Sequence, residues 1–311
     1  MKKILFVFNP NSGKGQIKNR LLDIVRMFSE NGLQVTVYPT RAPKDGYDYI
    51  LTYGRKFDII ACSGGDGTLN ETVGAVIRLN KQHGTNIPVG YIPSGTTNDF
   101  ASSLGIPKDM VKAARVISTG TAFRCDIGMT DSGRNFNYVA AFGAFTEVSY
   151  ATPQELKNML GHQAYIIEGM RSLTDLKPQY LRIRAGDRKL EGNFLYGMVS
   201  NTCSVGGVKG LAGKNVDLCD GLFEVTLLRQ INNPVELHQA VTGLLTQQYE
   251  NNNVIESFKT DHIEFQSPVD VAWTLDGEFG GFRKDISFDV LPQAVDFIVD
   301  ERKTSINTHT I

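Results

Sequence analysis

Ile4-Leu5-Phe6-Val7-Phe8 stops at Asn9-Pro10-Asn11-Ser12-Gly13-Lys14-Gly15, after which Ile17, Leu21, Ile24, Val25 and Phe28 recur at helical spacing until Gly32. A five-residue apolar run closed by Asn-Pro is too short for a secretory leader and reads as a buried strand, and Gly32 suits the position just past a helix end. The alternation continues. Leu33–Tyr38 is strand-like, Tyr49–Gly54 helix-like, Phe57–Cys62 a buried strand, Leu69–Leu79 a helix and Ile87–Ile92 another strand. This succession predicts an α/β fold with a doubly wound parallel sheet, whose ligands bind in loops beyond the carboxyl ends of the strands.

Beyond Arg124 the rhythm changes. Asp131-Ser-Gly-Arg-Asn135 separates two strand-like runs, Ala185-Gly-Asp-Arg188 separates Leu181–Arg184 from Phe194–Ser200, and Phe223–Leu228 and Ile286–Leu291 are further strands. Helical patterns interrupt them between Pro153 and Leu176 and between Pro234 and Tyr249. The expected organisation is an α/β domain over residues 1–123, joined by segment 292–303, and a β-rich, sandwich-like domain over 124–291. The polar stretch after Asp300 is expected to fray.

Composition narrows the function. The chain has 311 residues, 41% apolar and 21% charged, as a globular protein of two domains would. Its 32 Lys and Arg against 33 Asp and Glu leave a net charge of −1, so no global basic field advertises nucleic acid. No stretch approaches the roughly 20 apolar residues of a membrane-spanning helix. Cys62, Cys125, Cys203 and Cys219 lie far apart without CxxC spacing, which points to a reduced, cytoplasmic setting, with contact at a membrane surface left open.

Three loops carry the chemistry, each following a strand and each built from small polar residues, so that they should converge on one sheet edge. The first, Asn9 to Gly15, opens a helix whose unpaired N–H groups and dipole favour phosphate. It is not a Walker A loop, because Phe8 stands five before Gly13 and Gly15 follows Lys14. The second, Gly64-Gly65-Asp66-Gly67-Thr68-Leu69-Asn70-Glu71, sets three glycines around one carboxylate, allowing close backbone approach to a ligand at a cost in chain entropy. Asn70 stands where the dinucleotide fingerprint needs glycine. The third, Pro93-Ser-Gly95-Thr96-Thr-Asn98-Asp99-Phe100, again places a carboxylate after small residues. Alone, Asn98-Asp99 reads as a helix cap; beside the other loops, Asp66 and Asp99 suit Mg²⁺, which takes one or two protein carboxylates and completes its shell with water and phosphate.

Asn-Pro-x-Ser-Gly, Gly-Gly-Asp-Gly-Thr-Leu-Asn-Glu and Gly-Thr-x-Asn-Asp-Phe, in this order, resemble the diacylglycerol kinase catalytic domain family, and the soluble bacterial lipid kinases most of all. Two later motifs extend the likeness over about residues 1–300: Val216-Asp217-Leu218-Cys219-Asp220-Gly221-Leu222 and Leu275-Asp276-Gly277-Glu278. The resemblance implies a fold of the NAD kinase and diacylglycerol kinase type, with ATP between the domains. It implies that Asn9, Ser12, Gly13, Thr40, Gly65 to Glu71 and Thr96 surround ATP, with Pro10, Asn11, Gly64, Gly95 and Asn98 from the same loops. It further implies that Asp66 and Asp99 help hold the catalytic Mg²⁺, and that Asp217, Asp220 and the main-chain oxygen of Leu222 hold a second, structural Mg²⁺. Asp276-Gly277 is by itself a strong hairpin turn; by resemblance, Asp276 or Glu278 supplies the base that accepts a lipid hydroxyl's proton. The implied reaction transfers the γ-phosphoryl of ATP to a lipid hydroxyl, with diacylglycerol as first candidate.

Other features argue by omission. His83, His162, His238, His262 and His309 lack metal spacing, and Ser94 and Ser204 lack the GxSxG elbow of a hydrolase. Lys177, Arg182, Arg184, Arg188 and Lys189 fit a solvated hairpin face, or anionic headgroups as the alternative. Met159, Tyr165, Ile166, Ile167 and Met170 lean to core over a lipid-facing surface. NAD kinase shares the second loop but needs neither Asn-Pro-x-Ser-Gly nor the late Asp-Gly-Glu. A nucleotide-binding regulator that has lost catalysis is disfavoured, because each carboxylate is present. Oligomeric state, a homodimer included, is left open.

Overall fold

The computed structural model describes residues 1–95, 98–143, 177–202, 204–205, 208–209, 216–246, 248–249 and 252–300. The chain packs into two units, one of residues 1–127, 217–220 and 291–311, the other of 128–216 and 221–290. The helical pattern between Pro153 and Leu176, with Met159 to Met170, lies outside the described residues, as do Cys203, Thr96 and the tail beyond Asp300.

The first unit is built as its periodicity predicts. Strand β1 (Lys2–Phe8) is followed by α1 (Ile17–Glu30), β2 (Leu33–Pro39), α2 (Asp45–Tyr53), β3 (Ile59–Gly64), α3 (Asp66–His83) and β4 (Val89–Pro93). The short α4 (Asp99–Ser103) and α5 (Met110–Thr119) come next. Gly32 takes φ of +76°, the left-handed conformation that ends a helix without a Cβ clash. Helix α1 turns Ile17, Ile24 and Phe28 inward, and Phe28 meets Phe6 edge to face at 5.7 Å. Burying such a ring contributes about 1.5–3 kcal/mol. The strands lie parallel in the order β2, β1, β3, β4. From β1 the chain winds outward to β2, and from β3 it winds the other way to β4. The crevice of a doubly wound sheet opens where that direction reverses, between β1 and β3.

The second unit is antiparallel. It comprises the end of β5 (Thr121–Thr130), β6 (Asn135–Phe136), β7 (Val139–Gly143), β8 (Gln179–Ala185), β9 (Arg188–Ser200), the ribbon β10 (Ser204–Val205) and β11 (Val208–Lys209), and β12 (Phe223–Arg229). Helix α6 (Pro234–Thr246), β13 (Ile255–Thr260), β14 (His262–Leu275) and the first part of β15 (Glu278–Val299) complete it. Strands β7 and β8 share one slot, each pairing with β9 on one side and β14 on the other. The ladder is therefore one antiparallel network, because β9 and β14 are long enough to serve both neighbours. Its inner face meets in an aromatic core of Phe136, Phe142, Phe194, Phe223, Phe265, Trp273 and Phe288. β15 runs past the predicted end at Leu291 through Pro292, and Phe297 pairs parallel with Val89 of β4 in the first unit's sheet.

Candidate active site

All three small-residue loops leave the same end of the first unit's sheet, and hydrogen bonds tie them together. Asn9 N–H donates to Ser63 O at 2.9 Å, Ser94 N–H to Gly64 O at 2.9 Å, and Ser12 Oγ to Ser94 O at 3.4 Å. Asn11 N–H reaches back to Asn9 Oδ1 at 2.9 Å, closing the first loop on itself. Asn98 folds its amide over the third loop, accepting from Gly95 N–H at 2.9 Å and donating to Gly95 O at 2.8 Å. The Tyr91 hydroxyl joins two loops by donating to Gly64 O at 3.2 Å and Asn98 Oδ1 at 3.3 Å.

The glycines permit backbone approaches that no side chain would allow. A Cβ on Gly13, whose φ is +55°, would fall 1.7 Å from Ser94 O, and one on Gly64 would fall 2.3 Å from the Thr68 side chain. Thr40 follows β2 at the same edge, its N–H on Phe8 O at 2.9 Å, and Glu71 accepts Lys44 N–H at 2.8 Å. The Leu69 side chain is fully buried in α3 and so faces away from this edge.

Two carboxylates open helices at this edge: Asp66 begins α3 and Asp99 begins α4. Burial above all, then Asp66, Cys62 and Asp99, holds the Tyr91 hydroxyl well above its usual range. Both acids therefore act on one buried point. The described residues hold no group of three or more His, Cys, Asp or Glu side chains suited to a metal ion. A Mg²⁺ ion, by contrast, takes only one or two protein carboxylates and completes its shell with water and phosphate.

A second acidic group forms around Cys219. Asp217 Oδ1 accepts Cys219 N–H at 3.1 Å, and burial, then Asp217, Asp126 and Asp220, push the Cys219 thiol up to about 11. Asp126 escapes a reading by motif. It is 1% exposed on β5, accepting Gln293 N–H at 2.7 Å, while its own N–H donates to Leu218 O at 2.8 Å. The available signal is an acid flanked by Cys125 and Ile127 in a strand, a position that burial makes costly unless it is partnered.

In the second unit, Asp276 and Gly277 occupy the tip between β14 and β15 with φ of +51° and +79°, the two positive values of a type I′ turn. Asp276 is 4% exposed, and its carboxylate accepts N–H groups of Asn137 at 2.7 Å, Tyr138 at 3.0 Å and Val139 at 3.2 Å. Turn and acid are thus the same feature, with the side chain turned inward and fixed. Glu278 pairs with Leu275 across the hairpin and is exposed. On the β8–β9 hairpin, Arg182 pairs with Glu191 at 3.1 Å and Arg188 lies 5.1 Å from the Phe258 ring, the mixed-sign face that the sequence suggests.

Residues 3–130 match the diacylglycerol kinase catalytic domain. The chain is 34% identical to the diacylglycerol kinase of Bacillus subtilis over 283 residues, which cover 90% of this chain and 91% of that protein. It is 31% identical to the diacylglycerol kinase of Staphylococcus saprophyticus over 90% of each. In fold it is similar to the crystal structure of a diacylglycerol kinase from Bacillus anthracis, with a TM-score of 0.75, 20% identity, and coverage of 97% of this chain and 98% of that one. Identity of this level, sustained across nine-tenths of both chains rather than confined to the glycine loops, places the protein in the diacylglycerol kinase family.

Proposed function

We propose that the protein transfers the γ-phosphoryl group of ATP to the free hydroxyl of diacylglycerol, giving phosphatidic acid and ADP. The observation that carries this reading is the closure of three glycine-bearing loops on one sheet edge, with Asp66 and Asp99 beside them. Phosphoryl transfer needs little covalent chemistry from the protein. It needs positioning, charge neutralisation and a group to accept the hydroxyl proton.

The N–H groups of the Asn9–Gly15 loop and of the start of α3 suit the phosphates, as donors at a helix N-terminus do. Asp66 and Asp99 supply hard oxygen ligands, and a Mg²⁺ held by them would neutralise charge on the transferring group. Asp217, Asp220 and the carbonyl of Leu222 are proposed as a structural Mg²⁺ site, the two carboxylates belonging to the acidic group around Cys219. The hydroxyl proton passes to a carboxylate of the Asp276-Gly277-Glu278 turn. The fixed Asp276 side chain favours it as the base, and the exposed Glu278 is the alternative.

The test is turnover of labelled ATP with diacylglycerol and NAD offered in parallel, on the parent and on Asp66→Asn. Label in phosphatidic acid, with kcat down about 10²–10³-fold in the variant, supports the reading. Label in NADP, or a variant as fast as the parent, overturns it.

A further inference from the structure

Asn137 is fully buried, and neither its Oδ1 nor its Nδ2 has a hydrogen-bond partner among the described residues. A side-chain amide offers two acceptor sites and two donors. Leaving all of them unmet in the interior is costly, because the lost hydration is not replaced. Turning the amide over changes nothing, since both ends are affected. Native proteins leave few buried polar side chains in this condition, and each one calls for an explanation.

The place of the residue supplies one. Its own N–H is among the three that hold the Asp276 carboxylate, at 2.7 Å. Asp276 N–H donates to Val139 O at 2.8 Å, and Asn201 N–H to Tyr138 O at 2.9 Å, so residues 137–139 tie the turn to the chain that leaves β9. Asn137, Asn201, Thr202 and Asp276 are all buried at this end of the ladder, while their neighbours Phe136, Val199 and Leu275 belong to the apolar core. Both Asp276 oxygens are engaged. The Asn137 amide is left for a ligand.

Such a ligand must bring a hydrogen-bond acceptor to Nδ2 and, beside it, a donor to Oδ1. A 1,2-diacylglycerol carries that pair, with a free hydroxyl on one carbon and an ester carbonyl on the next. An ether lipid keeps the hydroxyl but lacks the carbonyl.

We propose that Asn137 binds the acceptor lipid through its amide, Oδ1 taking the free hydroxyl and Nδ2 the neighbouring ester carbonyl, and thereby selects acyl esters of glycerol over other lipid alcohols. The inference deepens the lipid kinase reading and rests on it for the class of ligand. An amide has no basicity to take the hydroxyl proton, which is left to a carboxylate of the adjoining turn.

The test offers dioctanoylglycerol, or the matching dioctyl ether, to the parent and to Asn137→Leu, a replacement of similar size without polar atoms. Turnover and the ligand-induced rise in melting temperature are both read. The parent should favour the ester about tenfold or more in kcat/KM. In Asn137→Leu that preference should vanish through a higher KM for the ester, with the KM for ATP unchanged. The unliganded variant should melt at or above the parent temperature, since no buried polar atom is left unmet. A merely structural amide gives the opposite sign, a lower melting temperature with equal losses on both lipids. That result overturns the proposal, as does a folded variant that keeps the preference, or a parent that treats the two lipids alike. Should Asn137→Leu fail to fold, Asn137→Ser carries the same comparison. A parent stabilised by the ester over the ether, with the difference lost in the variant, but phosphorylating neither lipid, leaves the subsite standing and removes only the assigned reaction.

Discussion

A Cβ on Gly95 would stand 2.6 Å from the Cα of Gly65, so the second and third loops approach each other backbone to backbone. Gly95→Ala should force them apart at a cost of about 1–3 kcal/mol, with ATP affinity down about tenfold or more by calorimetry. Gly84→Ala is the control. Gly84 also has a positive φ, +61°, but nothing lies within 4 Å, so that variant carries conformational strain alone and should bind ATP as the parent does. Equal ATP affinities in both variants would show that the close approach does not shape the nucleotide site.

The two acids of the hairpin should separate by stability as well as by rate. Asp276→Asn puts an NH₂ group where three backbone N–H groups now donate, so its melting temperature should fall by about 4 °C or more. Glu278→Gln, at an exposed site, should melt with the parent. If Asp276 is the base, kcat falls about 10²–10⁴-fold in its amide variant while ATP affinity holds. A full loss in Glu278→Gln alone transfers the role to Glu278.

Asp220 belongs to the group around Cys219, and its role there is open to a thermal test. An ion bound to the folded state alone raises its stability by mass action. Millimolar Mg²⁺ should therefore raise the melting temperature of the parent but not of Asp220→Ala. An equal rise in both would place the ion elsewhere.

His262 predicts a pH dependence confined to one surface. Partial burial lowers its pKa, but hydrogen bonds to Asp289 at 2.7 Å and Glu264 at 3.4 Å, with their charges, outweigh it and raise the value overall. The added stability is complete below the unfolded value of about 6.5 and fades as pH rises through the higher folded value. Exposure of the pair keeps it small. His262→Gln should melt about 1–2 °C below the parent near pH 5.5, with the gap closing by pH 9. A gap that widens with pH would reverse the assignment.

What can be read from the sequence is what depends on neighbours along the chain. Ile17, Ile24 and Phe28 announce α1 because one helical face is buried, and Asp276-Gly277 announces its turn because both residues tolerate positive φ. The glycine loops are legible for the same reason. The continuation of β15 past Leu291 is not, because Pro292 cannot donate to a ladder and normally ends a strand. Tertiary contacts carry the strand on, with Gln293 at φ +50° and its N–H on Asp126 Oδ1. The inward aim of Asp276 is set by N–H groups of residues 137–139, and the place of Asp126 by Leu218 and Gln293, none of them near in sequence.

The late arrival of Phe297 beside Val89 bears on how the protein is made. On a ribosome, residues 1–127 emerge first, yet their sheet lacks the strand beyond β4, Asn86 lacks the Asp296 carboxylate that it meets at 2.6 Å, and Phe100 lacks the Phe297 ring. At about 5–20 residues per second, the missing strand follows on the order of ten seconds or more later. During that interval the nascent sheet presents an open parallel edge to whatever else is in the cell. Completion of the first unit therefore waits for a segment encoded about 160 residues further on, and residues 1–127 cannot be exchanged as an independent cassette.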